Sequence, residues 1–157
     1  MCWITQLVVH SAHRNRGVAT AMLRGLWGGE DVWAYGIASA QPFACMALAR
    51  ACDGGRADGG SGGIAGVDLS FLRDDVEGVM KASPLRYVRE GKVRGTLFNR
   101  DGMGGEVVCV VDTGFWVSHE EPMRAIEVLR GMGREWPLGE VLPEGCEFLL
   151  LVKGGEG

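Results

Sequence analysis

The chain has 157 residues, 46% of them hydrophobic and 23% charged, which suits a globular domain with a real core. A formal net charge of −4 at pH 7 argues against general nucleic-acid binding, which needs a basic face. No stretch is long and apolar enough to span a bilayer, and the opening residues lack the basic head of a secretory signal. The cysteines Cys2, Cys45, Cys52, Cys109 and Cys146 form no CxxC pair and are odd in number. They read as reduced, mostly buried thiols, and so predict a cytoplasmic protein. His10, His13 and Cys2 follow no metal-ligand spacing, and no metal site is expected.

The first predicted element is a strand over residues 3–9, where Ile4, Leu7, Val8 and Val9 make a β-rich apolar run. Residues 10–15 are polar and basic and end it. Residues 17–27 then place Ala19, Met22, Leu23, Leu26 and Trp27 at helical spacing, and Gly28 and Gly29 stop the helix. The chemistry lies at the turn Arg14-Asn15-Arg16-Gly17-Val18-Ala19. A helix N-terminus offers unpaired N–H groups and a positive dipole end, which suit phosphate. Gly17 and Ala19 leave room for a pyrophosphate to reach the backbone, Arg14 and Arg16 add charge, and Thr20 adds a hydroxyl. An ordinary strand, solvated basic loop and helix accounts for the same pattern equally well.

A second strand is expected over 31–39 and a second helix over 41–52, with Pro42 in its first turn. Residues 53–66 are glycine-rich and read as a flexible linker or surface loop. A helix follows over 67–83, capped by Asp68 or Ser70. It turns Leu72, Val76, Val79, Met80 and Ser83 inward and Asp74, Asp75 and Glu77 to water, and Pro84 ends it. Residues 85–98 are basic, with Arg86, Arg89, Lys92 and Arg94 around Tyr87, and finish in a strand, KVRGTLF. Asp101-Gly102 marks a hairpin turn. A buried strand is expected from Val107 through Val111 and on through Gly114 to Phe115, Trp116 and Val117. Ser118 and Glu121 have capping-box spacing before a helix that buries Ala125, Ile126, Leu129 and Met132. Trp136-Pro137 opens a loop, residues 147–153 form a last apolar strand, and residues 154–157 a frayed tail. The order predicts a mixed α/β fold on one sheet.

The pattern RxxGxA at Arg14, Gly17 and Ala19, directly after an apolar strand, resembles the acetyl-CoA signature of the GNAT N-acetyltransferase superfamily. The next strand and helix continue the resemblance, which covers roughly the first third of the chain. SPLRYVR, VDTGFWV and EFLLLVK are similar to segments of uncharacterised fungal members. The resemblance implies a partial GNAT acyl-CoA N-acyltransferase-like fold, a single mixed sheet flanked by helices. Its parts would be an acetyl-CoA-binding core over 1–52, a glycine-rich loop over 53–66 and the rest of the same domain over 67–157. Family members usually carry three strands and two helices before the motif strand. Their place in front of Trp3 is empty in this sequence, which predicts a truncated chain. The strand over 3–9 is then an unpartnered edge that invites self-association.

The implied activity is acetyl transfer from acetyl-CoA to an amine of unknown identity. By resemblance, a backbone N–H of the motif strand, near Val8 or Val9, would hold the thioester oxygen, with Leu7 also in contact with the cofactor. Arg14, Asn15, Arg16, Gly17, Val18, Ala19 and Thr20 would hold the pyrophosphate, and Gln41 the pantetheine arm. On the family's NxxAxxxY pattern, Gln41 stands at the Asn, Ala44 at the Ala and Leu48 at the Tyr. Leu48 cannot protonate a departing thiolate. No catalytic residue is assigned: His10 suits a base by its chemistry, but flanking the phosphate loop suits it better. Asp112, Tyr87 and His119 have no place relative to the thioester. A non-catalytic protein that binds CoA or a partner chain is the other reading.

Overall fold

The protein is described here by a computed structural model covering residues 1–26, 32–52, 64–98 and 105–154. Five strands form one mixed sheet: β1 (Cys2–Ile4), β2 (Ala34–Ser39), β3 (Lys92–Arg94), β4 (Val110–Asp112) and β5 (Cys146–Lys153), in the order β1-β2-β5-β4-β3. The pair β1 and β2 is parallel, and every other neighbouring pair is antiparallel. The described residues also form five α-helices: α1 (Val18–Arg24), α2 (Pro42–Cys52), α3 (Leu69–Lys81), α4 (Arg86–Glu90) and α5 (Glu120–Gly131). The first 52 residues supply β1 and β2 and the later residues the other three strands, so both stretches share one sheet and one core.

Register assigns side chains to faces, because neighbours across a ladder share a side and successive residues alternate. Tyr35, Ile37, Leu150 and Phe148 point to one face. There the Tyr35 hydroxyl donates to the Leu26 carbonyl just past α1, and Trp136, beyond α5, packs edge-on against Phe148 at 4.9 Å. α1 packs on α2, and α2 on β2 and β5. Gly36, Leu151, Leu149, Glu147 and Val111 point to the other face. A Cβ on Gly91, directly after α4, would lie 2.7 Å from Val111 Cγ2, which puts α4 over that face; α3 packs on α4 and β5.

The apolar periodicity of α3 is the one expected: Leu72, Val76, Val79 and Met80 are buried, and Ser83 just beyond the helix is buried too. Asp68 caps it by accepting from Ser70 N at 2.8 Å; the Ser70 hydroxyl first, and this backbone bond next, hold the Asp68 carboxyl below its ordinary range. α2 and β5 have nearly the predicted bounds. Ala125, Ile126 and Leu129 of α5 are buried, but Met132 is exposed because the helix ends at Gly131.

Several further expectations need correction. The first strand stops at Ile4, and Val8 is 81% exposed: the ladder to β2 ends at Ile4 opposite Ile37, although β2 itself runs on to Ser39. The strand expected over 107–117 is confined to Val110–Asp112, with Val107 making an isolated bridge to Gly139; Phe115, Trp116 and Val117 have no strand partner among the described residues and are exposed. KVRGTLF divides into β3 and a 3-10 turn over Thr96–Phe98, because Gly95 bends the chain at φ 119°. No capping box forms on α5: His119 occupies the cap position without a side-chain bond, and Ser118 Oγ accepts only weakly from Glu120 N at 3.4 Å. At the end of the glycine-rich segment, Ile64 is buried and its 3-10 turn packs on α2. The rest of that segment, the Asp101-Gly102 turn and residues 155–157 lie outside the described residues. Gly154 is anchored rather than frayed, donating to the Trp33 carbonyl at 2.8 Å.

Two glycine substitutions test this architecture in opposite directions. Gly95→Ala puts a Cβ 2.2 Å from the Val108 carbonyl oxygen at φ 119°, and urea unfolding should show a loss of about 3 kcal/mol or more. Gly78→Ala lies inside α3 with nothing within 4 Å of the added carbon. It should gain about 0.5–1 kcal/mol in the same assay.

Candidate functional site

The strand directions gather several loops at one end of the sheet. Because β1 and β2 are parallel, their carboxyl ends lie together. β5 starts there, β4 finishes there and β3 starts there. Residues 5–17 leave β1 at this end, Gln41 follows β2, and Thr113 follows β4. Ligands of open sheets with parallel strands commonly bind beyond such carboxyl ends.

Each predicted cofactor residue has a definite place. Leu7 and Val9 are half-buried and Val8 exposed, all in the irregular segment after β1. Ser11–His13 makes a 3-10 turn, opened by His10, whose Nδ1 accepts from Ala12 N at 3.3 Å. Asn15 takes the left-handed conformation at φ 57°, and Gly17 follows at φ 74°. Gly17 is the N-cap of α1 and has no side chain with which to cap the first N–H groups of the helix, at Val18, Ala19 and Thr20. A Cβ on Gly17 would meet nothing within 4 Å, so the approach to those groups is open. Val18, Ala19 and Thr20 are half-buried, and Arg16 is exposed.

Arg14 is placed differently from the expectation. Its Nε donates to the Val9 carbonyl at 3.1 Å, and its Nη1 lies 3.4 Å from Glu121 Oε1 in the first turn of α5. The pair is exposed at both ends, so it contributes little to stability, but it ties the loop to α5. Gln41 is half-buried; its backbone N–H donates to Ser39 Oγ at 3.1 Å and its carbonyl accepts from Ala44 N, opening α2. Leu48 is fully buried on the packed side of that helix, where it carries no chemistry.

A second group at this end is absent from the sequence reading. Glu147, the second residue of β5, is half-buried on the α4 side. Its Oε2 accepts from the Thr113 hydroxyl at 2.9 Å. Burial pushes its carboxyl above the ordinary range, and the Thr113 bond opposes only part of that rise. Tyr87 of α4 packs on Phe115 at 5.2 Å; burial, and next the charge of Glu147, raise its phenol. Behind the sheet, burial and then Glu147 push the Cys45 thiol up to about 12, so this cysteine is inert. Arg94 and Asp112 pair at 2.8 Å on the opposite face. His119 stands at the start of α5 with Nε2 shielded from solvent and no partner among the described residues. The one sequence signal for Glu147 is a lone carboxylate heading an otherwise apolar strand.

Among the described residues, no group of three or more His, Cys, Asp and Glu is placed to hold a metal ion. No helix among them is long and apolar enough to cross a membrane. The fold defines a mixed α/β protein with helices over both faces of one five-stranded sheet. Comparison with protein-family models, with curated proteins and with solved structures gives no match to this chain.

The raised carboxyl sets a pH dependence of stability. Ionised Glu147 opposes folding, so its unfavourable contribution grows as pH rises through the unfolded carboxylate range to the folded value. Glu147→Gln keeps an acceptor for Thr113 and removes the charge. It should melt higher than the parent chain at pH 7, with the advantage gone below pH ~4, where both states of the parent are protonated. Thermal melts over that range check it.

Proposed function

We propose that the chain is an acetyl-CoA-dependent N-acetyltransferase of GNAT type acting on an amine. The observation that carries this reading is the uncapped, open start of α1 behind RNRGVA, set at the carboxyl end of a parallel strand pair. The first N–H groups of the helix, a positive dipole end and the exposed Arg16 suit a pyrophosphate there. The divergence after Ile4 supports the same reading. β2 continues through Ala38 and Ser39 without β1 beside it. A parallel pair that parts in this way leaves peptide groups on β2 facing a wedge, and the amides of a pantetheine arm complement such groups. Gln41 stands at the mouth of that wedge. Antiparallel final strands and the strand-helix-strand opening agree with the arrangement the resemblance implies.

In the proposed reaction the amine nitrogen attacks the thioester carbonyl, the N–C bond forms and the C–S bond breaks. A backbone N–H in the Leu7–Val9 segment stabilises the oxyanion. Leu48, buried where relatives carry a Tyr, favours a second reading in which the chain binds CoA or a partner without turnover. The outer edge of β1, which no strand among the described residues covers, supports self-association as a further property of the chain.

Calorimetric titration with acetyl-CoA tests the assignment, with Gly17→Asp and Gly17→Asn as a pair. Both residues tolerate the left-handed conformation better than most, and open space surrounds the site. Saturable binding should survive in Gly17→Asn, weakened, and be lost in Gly17→Asp, because the added charge opposes the phosphates. No binding by the folded parent chain would overturn both the catalytic reading and CoA binding. Light scattering should show association that increases with concentration; a clean monomer would exclude pairing through β1.

A further inference from the structure

We propose that Glu147 is the catalytic base of this site, taking the proton from the ammonium form of the acceptor amine. The inference rests on the acetyltransferase reading and gives it the proton acceptor that the motif itself lacks.

Position supports it first. Ser39 lies across from Phe148, so Glu147 is level with Ala40, at the mouth of the wedge. Extending the register of Ile4 opposite Ile37 puts Leu7 at that same level, had β1 continued straight. Glu147 therefore stands two strand spacings, about 10 Å, from the straight continuation of β1, which the chain itself leaves after Ile4. A carboxylate side chain spans part of that gap, and an amine beside a thioester fills the rest. The carboxylate is half-buried, so it is shielded yet within reach of a substrate.

Its surroundings support it next. The Thr113 hydroxyl fixes one carboxylate oxygen and leaves the other for a proton. Facing it is Tyr87 from α4, while Cys45 of α2 lies behind the sheet, and burial holds both neutral. Asp112 of β4 is occupied with Arg94 on the other face of the sheet. α3 contributes its apolar side, Leu72, Val76, Val79 and Met80, to the core beside β5. Such an environment makes a carboxylate a stronger base than it is in water. Along the outer side, Tyr87 and Phe115 offer an aromatic wall beside an incoming alkyl or aryl amine.

The step balances as follows. Glu147 carboxylate takes one proton from R–NH3⁺, giving R–NH2 and a neutral carboxyl. The nitrogen lone pair forms the N–C bond, and the C–S electron pair leaves with the thiolate. The second N–H proton goes to the thiolate, giving CoASH, and Glu147 releases its proton to solvent.

The test compares two amines, benzylamine, which is protonated at pH 7, and p-anisidine, which is already neutral. With Glu147→Gln, kcat/KM for benzylamine should fall about 100-fold at pH 7. The rate should recover as pH approaches the benzylamine pKa. Transfer to p-anisidine should change by less than about threefold, since no proton need be removed first. Thr113→Val removes the bond that lowers the Glu147 carboxyl, so the acidic limb of the pH–rate profile should move to higher pH. Equal losses on both amines, no loss on either, or an unmoved limb in Thr113→Val would overturn the role of Glu147. Titration with acetyl-CoA separates the two failures. A parent chain that binds and transfers, while Glu147→Gln matches it, rejects the base alone. A parent chain that neither binds nor transfers rejects the acetyltransferase reading and the base together.

Discussion

The backbone ladders on the two sides of β5 are the constraint on which the molecule depends. β5 pairs along six residues with β2 and along three with β4, and among the described residues no other strand joins the early part of the chain to the late part. Phe148, Leu149, Leu150 and Leu151 are fully buried, because helices cover both faces of the sheet at this strand. A continuous apolar run, rather than alternation, is what a strand buried on both faces requires. The single polar exception near its start, Glu147, falls where the helices no longer seal the sheet.

That geometry fixes the relation between chemistry and scaffold. A central strand sets the level of every loop at the carboxyl end of the parallel pair. Residues contributed by β1, β2, β4 and β5 come together at one rim although Leu7 and Glu147 are far apart in sequence. Arg14 shows the same dependence: its salt bridge reaches α5, an element that arrives at this rim only because Thr113 leaves β4 there. Shielding a carboxylate here lowers stability and raises basicity together, a trade common to sites that do proton chemistry.

Elements that carry their own determinants were legible in the sequence. The 3.6-residue stripe and the Asp68 cap define α3, and Pro42 and a run of small apolar residues define α2. The short strands were not, because a strand is made by its neighbour. Leu7-Val8-Val9 and Phe115-Trp116-Val117 have strong β propensity, yet both overrun the strand beside them and stay outside the sheet. Ser118 has the right chemistry for a cap but stands one position early, since His119 precedes the first helical residue. The loop Arg14–Ala19 stands out in the sequence as a motif, whereas the diversion of Arg14 to Glu121 depends on tertiary placement. Glu147 was hidden for the same reason: its partner Thr113 is brought beside it only by the register of β4 on β5.

Chain order gives β5 a further consequence, in the timing of assembly. A ribosome delivers β1 and β2, then β3 and β4, long before residues 146–153 emerge. Until then β2 and β4 each have an unsatisfied long edge, and the apolar surfaces meant for Phe148 to Leu151 are uncovered. The sheet closes by inserting a late strand between two waiting ones, a nonlocal step that is slow for entropic reasons. Nascent or partly refolded chains therefore expose paired-edge templates, and their yield should depend on chaperone capacity and dilution more than the stability of the finished fold implies.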